Sequence, residues 1–293
     1  MITIEHLTKR FARATAVNDV TFSITAGESV ALWGENGAGK TTIIRCILGL
    51  MRYDGAIRVD RLDAWRQGKC ARRLIGYVPQ ELGFYDELRV HEAVRFFAKL
   101  KGERVRDIDA VLYRVGLVGH ASKRIRELSG GMKQRLALAI ALLGEPPILI
   151  LDEVTASLDA CGRAEMVNLL AGLAKSDSRA VLFASHRREE IAALATRVIT
   201  LERGRMMSDV SARTFASRQT ENTLLHVLMD ASNVSRALEL LRGEGFDARK
   251  NGRGIYVPVS GGSRAVPLQR LAAADIRVDD FDLVPPSREE VHP

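Results

Sequence analysis

Aromatic residues are scarce, making up 5% of the 293 positions. The core must therefore be aliphatic, and the 46% apolar fraction can supply it. Cysteine is also sparse: Cys46, Cys70 and Cys161 stand far apart. An odd number without C-x-x-C spacing excludes a disulfide framework and a zinc pattern, and reads as free thiols in a reducing compartment. No apolar run approaches the roughly 18 residues that a membrane-spanning helix requires. The opening residues, Met1 to His6, show neither a basic leader nor a long apolar block, so no secretory signal is read there. These absences lead to the expectation of a soluble, cytoplasmic protein.

Long blocks of like charge are missing too, although the net charge is +7. The basic excess is confined to residues 1–218, because residues 219–293 hold 9 basic side chains against 11 acidic ones. Such a balance fits nucleic acid, an acidic membrane surface, or solubility alone.

Among the features that are present, the stretch Gly34-Glu35-Asn36-Gly37-Ala38-Gly39-Lys40-Thr41-Thr42 matches G-x-x-x-x-G-K-[ST], the phosphate-binding P-loop. Ser29 to Trp33 before it reads as a buried strand, and Thr42 to Leu48 after it as a helix stopped by Gly49. In that context the glycines let backbone N–H groups converge on an anion, and the helix N-terminus adds partial positive charge. Lys40 suits the β- and γ-phosphates, and the Thr41 hydroxyl suits Mg²⁺.

Around this loop the chain reads as α/β. Residues 1–28 alternate as a small antiparallel sheet, with Phe11 alone among polar residues ahead of that sheet. Gly55 to Val59 is a strand, and a basic stretch with Arg61, Arg66, Lys69, Arg72 and Arg73 reads as helical. Ile75 to Val78 is a strand closed by Pro79-Gln80. Residues 81–126 are mainly helical: Val90, Val94, Phe97 and Leu100 share one helix face, and Ile108, Val111, Leu112 and Val115 another. Ser129-Gly130-Gly131 opens a further helix and forms a second potential anion site. The aliphatic strand Ile148 to Leu151 ends in Asp152-Glu153, which suits metal and water chemistry at the rim of a parallel sheet. Ala180 to Ser185 is another strand, with His186 at its end, and Arg197 to Leu201 one more. Residues 207–222 read as a polar boundary. Beyond it, strand 224–229, a helix through Val234 to Leu241, a hairpin about Asn251-Gly252, helix 266–273 and strand 276–284 give β-α-β-β-α-β, a small ferredoxin-like domain.

The order of these motifs resembles the ABC-type ATPases: P-loop, Pro79-Gln80, Leu128-Ser129-Gly130-Gly131, strand with Asp152-Glu153, Ser157-Leu158-Asp159, then a strand-terminal His186. The resemblance covers about residues 1–210 and implies a P-loop α/β domain with an antiparallel β subdomain and a helical subdomain at about 81–145; residues 222–293 form the small α+β domain. It implies that Phe11 stacks on adenine, that Gly34 to Thr42 bind ATP, and that Thr41, Gln80 and Asp152 serve Mg²⁺. Glu153 becomes the general base, with His186 and Gln80 assisting at the γ-phosphate and the attacking water. Ser129, Gly130 and Gly131 contact the nucleotide of a second subunit, and Asp159 sits at the dimer contact. Val154 and Ala160 stand where the family usually has proline.

The resemblance also implies partners: a second ATPase subunit, expected to be identical, and an integral-membrane permease, with no nucleic acid. A single ATPase domain with a short α/β extension resembles the ABC-2 type exporters, and Pro286-Ser287-Arg288-Glu289-Glu290-Val291 partly resembles their closing segment. The expected role is ATP hydrolysis driving export, peripheral to the inner face of the cell membrane. The alternative is a soluble ABC ATPase acting on nucleic acid or the ribosome, which the basic N-terminal part motivates.

Overall fold

The computed structural model describes residues 1–12, 14–103, 108–176, 179–221, 223–252, 254–259 and 265–284. Contacts divide the chain into two compact units, Met1–Ala212 and Arg213–Pro293.

The first unit begins with strands β1 (Ile2–Phe11) and β2 (Ala14–Ile24), then β3 (Ser29–Trp33), helix α1 (Lys40–Ile47), β4 (Asp54–Val59), β5 (Leu62–Asp63), α2 (Gly68–Arg73) and β6 (Ile75–Val78). Helices α3 (Val90–Lys101), α4 (Ile108–Arg114) and α5 (Gly130–Ala141) follow, with two short 3-10 turns between α4 and α5. The chain returns through β7 (Ile148–Asp152), α6 (Ala160–Ser176), β8 (Ala180–Ser185), α7 (Arg188–Leu194), β9 (Arg197–Glu202) and β10 (Arg205–Ser211). One antiparallel sheet has the order β2-β1-β4-β5, and a six-stranded sheet the order β10-β9-β3-β8-β7-β6. Five strands of the second sheet run parallel, and β10 is an antiparallel edge.

Every residue of β7 and β8 is buried, as expected of central parallel strands covered on both faces. Helix α1 joins the two sheets into one core. Its Ile43, Ile44 and Ile47 are fully buried in a cluster with Ile2, Ile4 and Val20 of the first sheet and Leu32, Ile150 and Leu182 of the second. Each such side chain contributes about 1.5–3 kcal/mol by leaving water, so the helix carrying the P-loop lysine is held on two sides.

The second unit takes most of α8 (Ala212–Glu221), then β11 (Thr223–Leu228), α9 (Ala231–Gly243), β12 (Arg249–Asn251), β13 (Gly254–Val259), α10 (Val266–Ala273) and β14 (Asp280–Val284). Its antiparallel sheet has the order β12-β13-β11-β14, so β13 lies between the two strands that flank α9. This is the connectivity of a β-α-β-β-α-β unit. Leu225, Val227, Ile255 and Val257 face one core with Val234, Ala237 and Leu241 of α9 and Leu271 of α10.

Several boundaries differ from the sequence reading. The segment 207–222 is no open boundary: its first five residues complete β10, which pairs with β9, and the rest is mostly α8. Exposed residues alternate with half-buried ones along β10, which marks it as an edge strand, and its mostly polar outward positions imitate a loop. Phe11 lies inside the first sheet, paired with Ala14, not ahead of it. Arg61 and Arg66 fall outside the short helix α2. The last strand starts at Asp280, because Ile276 is drawn into the core from a loop. Pro286 to Val291 lies outside the described residues.

The core location of β7 sets an expected stability difference. Ile150→Ala removes a fully buried side chain and should lower unfolding free energy by about 2–5 kcal/mol. Met207→Ala, 59% exposed on β10, should change it by about 0.5 kcal/mol or less. Urea denaturation of both variants checks this.

Candidate active site

The P-loop connects β3 to α1 in a backbone path that only glycine tolerates at two points. Gly34 and Gly39 have φ of 155° and 105°. A Cβ at Gly34 would stand 2.4 Å from the Leu201 carbonyl oxygen, and one at Gly39 would stand 2.7 Å from that of Ala16. The loop is thus folded tightly against β2 and β9. Its curl leaves the Lys40 side chain 4% exposed. Lys40 Nζ donates to the carbonyl oxygens of Gly34 (2.7 Å) and Glu35 (3.0 Å) and lies 3.2 Å from Glu153 Oε1. A buried ammonium requires this much compensation.

The two acids at the end of β7 diverge in role. Asp152 Oδ1 accepts from the Thr41 hydroxyl at 3.0 Å. Burial pushes its carboxyl above the ordinary carboxylate range, against the Thr41 hydrogen bond that pulls it down. Glu153 takes a positive φ of 48°, and its N–H donates to the Ala184 carbonyl at 3.3 Å. That turn aims its carboxylate back toward the loop. Gln80 Nε2, just beyond β6, donates to Glu153 Oε2 at 3.4 Å. His186 Nδ1, just beyond β8, lies 3.8 Å from the same oxygen. Groups from the ends of four strands therefore meet at one rim, as at other parallel sheets.

A cavity of about 310 Å³ opens there, lined by Asn36, Gly37, Gly39, Lys40, Thr41, Thr42, Gln80, Glu153 and Ala16. Most residues of the sequence motif thus converge, and Ala16 of β2 is an addition that no local pattern signals. Phe11 does not line this cavity: it is 47% exposed, with Lys9 Nζ 4.9 Å from its ring centre. Ser129, Gly130, Gly131 and Asp159 line a different cavity of about 590 Å³, together with Arg135 and Glu165. Ser129 caps α5, accepting from the Met132 N–H at 3.3 Å, and Asp159 Oδ1 accepts from the Gly162 N–H at 2.7 Å at the start of α6. Arg135 Nη2 is 2.7 Å from Glu165 Oε2 across that cavity wall. A third cavity, of about 360 Å³, is lined by Lys69, Arg72, Arg73, Lys99 and Lys101. It gathers part of the basic excess between α2 and the end of α3.

A protein-family model described as "ABC transporter" matches residues 17–156. The linearmycin resistance ATP-binding protein LnrL of Bacillus subtilis is 33% identical over 238 residues, covering 80% of this chain and 76% of that one. This chain belongs to the ABC transporter ATP-binding proteins. The daunorubicin resistance ATP-binding protein DrrA3 of Streptomyces coeruleorubidus is 30% identical, covering 99% and 94%. The sulfate/thiosulfate import ATP-binding protein CysA of Burkholderia mallei is 33% identical, covering 97% and 81%. A solved dimeric ATP-binding cassette in a post-hydrolysis state, bound to ADP and Pi, superposes with a TM-score of 0.65 at 26% identity, covering 73% of this chain and 99% of that one. The first unit is accordingly an ABC ATPase domain of the P-loop α/β fold, and the chain an ATPase. Among the described residues no helix is long and apolar enough to cross a membrane.

The burial of Asp152 gives a pH-dependent expectation. Its folded-state value is raised above the reference of 3.8. Its contribution to stability is therefore full below that reference and is lost as pH rises through the folded value. Asp152→Asn removes the buried charge. Without added nucleotide, it should raise the denaturation midpoint at neutral pH, and the gain should shrink toward zero as pH falls below about 4. Paired unfolding curves across pH check the sign.

Proposed function

We propose that the chain binds and hydrolyses ATP as one half of a dimer of identical subunits, energising a separate integral-membrane permease for export. The observation that carries the reading is the separation of two cavities on one chain. Lys40, Thr41, Gln80 and Glu153 line one, while Ser129, Gly130, Gly131 and Asp159 line the other. A head-to-tail pairing of two copies sets the P-loop cavity of one against the Ser129–Gly131 cavity of its partner, which completes two equivalent sites. The solved relative in a dimeric state bound to ADP and Pi supports that assembly.

Lys40 and the loop N–H groups at the start of α1 hold the phosphates, and Phe11 offers its exposed ring to adenine. Glu153, aimed into the cavity beside Gln80, orients and deprotonates the attacking water. His186 stands 3.8 Å from that carboxylate and steadies the γ-phosphate end. Thr41 and Asp152 present paired oxygens 3.0 Å apart. This hard donor set fits Mg²⁺, and the buried Asp152 charge is one that a cation offsets. Those two residues, with Gln80, would hold the ion, which supplies charge neutralisation on the phosphates. Phosphoryl transfer needs this positioning more than covalent chemistry.

The permease meets the helical block and the segment 80–87, next to the Gln80 that touches Glu153, at the inner face of the cell membrane. The relatives named for linearmycin and daunorubicin resistance are in keeping with export, whereas the CysA relative is named for sulfate/thiosulfate import.

Glu153→Gln should lower ATP turnover by at least about 100-fold while the ATP-bound chain sediments as a dimer. Adding Ser129→Arg in the same background should return it to a monomer. Turnover assays and analytical ultracentrifugation with ATP read both outcomes, and wild-type turnover by Glu153→Gln would overturn the mechanism.

A further inference from the structure

Outside the two cavities, one polar cluster in the core has no place in the mechanism so far. Glu190 of α7 is 5% exposed, and Thr155 and Ser185 are each 2% exposed. The Thr155 hydroxyl donates to Glu190 Oε1, and the Ser185 hydroxyl donates to Glu190 Oε2 at 2.6 Å. The Arg187 N–H donates to Ser185 Oγ at 3.0 Å, and Arg187 Nε lies 3.9 Å from Glu190 Oε1. An ionised carboxylate only accepts, and here one oxygen takes the hydroxyl of the Thr155 turn and the other that of Ser185 at the end of β8.

The positions of those hydroxyls matter more than their number. Ser185 is the neighbour of His186. Thr155 is two residues after Glu153, in the turn closed by the Ala156 N–H on the Glu153 carbonyl at 3.0 Å. The next turn, Leu158 N–H on the Thr155 carbonyl at 3.1 Å, leads to Asp159 at the second cavity. Strands β7 and β8 are already paired up to Asp152 and Ala184. Beyond that pair the two loops share one backbone bond, Glu153 N–H to Ala184 O at 3.3 Å. Glu190 bridges them where the sheet ladder ends.

We propose that Glu190 is a positioning residue for hydrolysis, clamping the Thr155 turn to the Ser185–His186 loop so that Glu153, His186 and Asp159 keep a fixed relation. This rests on the roles given above to Glu153 and His186. Glu190 touches neither cavity, so its removal acts on the arrangement of the hydrolytic groups and leaves the nucleotide-gripping loop alone. Glutamine at this position retains the function, since its carbonyl accepts from one hydroxyl and its amide donates to the other. Methionine, of similar length, leaves both hydroxyls without their acceptor.

Steady-state ATPase kinetics and thermal melting on the full chain test this with four variants. Glu190→Met should lower kcat about tenfold or more with KM for ATP within about twofold of wild type, and Glu190→Gln should restore kcat to within about threefold. Thr155→Val, which keeps side-chain shape, should lower kcat about fivefold with unchanged KM, and it decides the matter if Glu190→Met does not fold. An unchanged kcat in both Glu190→Met and Thr155→Val overturns the clamp. So does a fall in kcat that Glu190→Gln shares in full, or a rise in KM that accompanies every loss of kcat. Glu153→Gln run alongside separates the two readings: if it retains turnover, the base assignment falls, whatever Glu190 does.

Discussion

A buried lysine ammonium organises the molecule. Lys40 is enclosed almost completely, and its charge is satisfied by two loop carbonyls and one carboxylate. Removing one partner of such a buried pair costs about 3–5 kcal/mol, because the other charge stays behind in a poor solvent. The loop must therefore curl tightly, which requires glycine at 34 and 39. Glu153 must turn back toward the loop, which requires its left-handed backbone. Helix α1 must be anchored firmly enough to hold the ammonium in place, and its three isoleucines pin it between two sheets.

The same constraint explains why the groups proposed for hydrolysis come from the ends of different strands. Gln80 follows β6, Glu153 follows β7 and His186 follows β8, which are neighbours in the sheet. A parallel sheet delivers all its carboxyl ends to one side, so residues more than a hundred positions apart share one rim. What the sheet does not deliver is an element facing the rim from the opposite side. Ser129 caps α5 and Gly130 and Gly131 begin it, and they open on a separate cavity; in the proposed dimer a second copy brings that surface to the rim.

Legibility in the sequence followed the range of the interaction. The P-loop is contiguous, so its strand, turn and helix could be read from neighbours alone, and the same holds for the Ser129 cap and the aliphatic β7. Strand β10 is not legible in the sequence, because an edge strand with one polar face has the composition of a loop. The start of β14 is not legible either, because Ile276 is buried without being in a strand. Ala16 and Glu190 carried no signal: each acts through contacts with residues distant in the chain or masked by unremarkable spacing. The Arg135–Glu165 pair at the second cavity is invisible for the same reason, since α5 and α6 meet only after folding.

The sequence by itself determined the chemistry on offer: a lysine in a glycine loop suited to phosphate, oxygen donors suited to a cation, and a carboxylate that follows the strand. Those properties reside in side-chain type and local spacing, and they persist in any context that folds. Only the tertiary structure decided the partnerships. It paired Lys40 with Glu153 rather than Asp152, gave Asp152 to Thr41, and set the phosphate loop apart from the Ser129–Gly131 surface. Those outcomes depend on strand order and on backbone direction at the end of β7, which three-dimensional packing sets and local pattern does not encode.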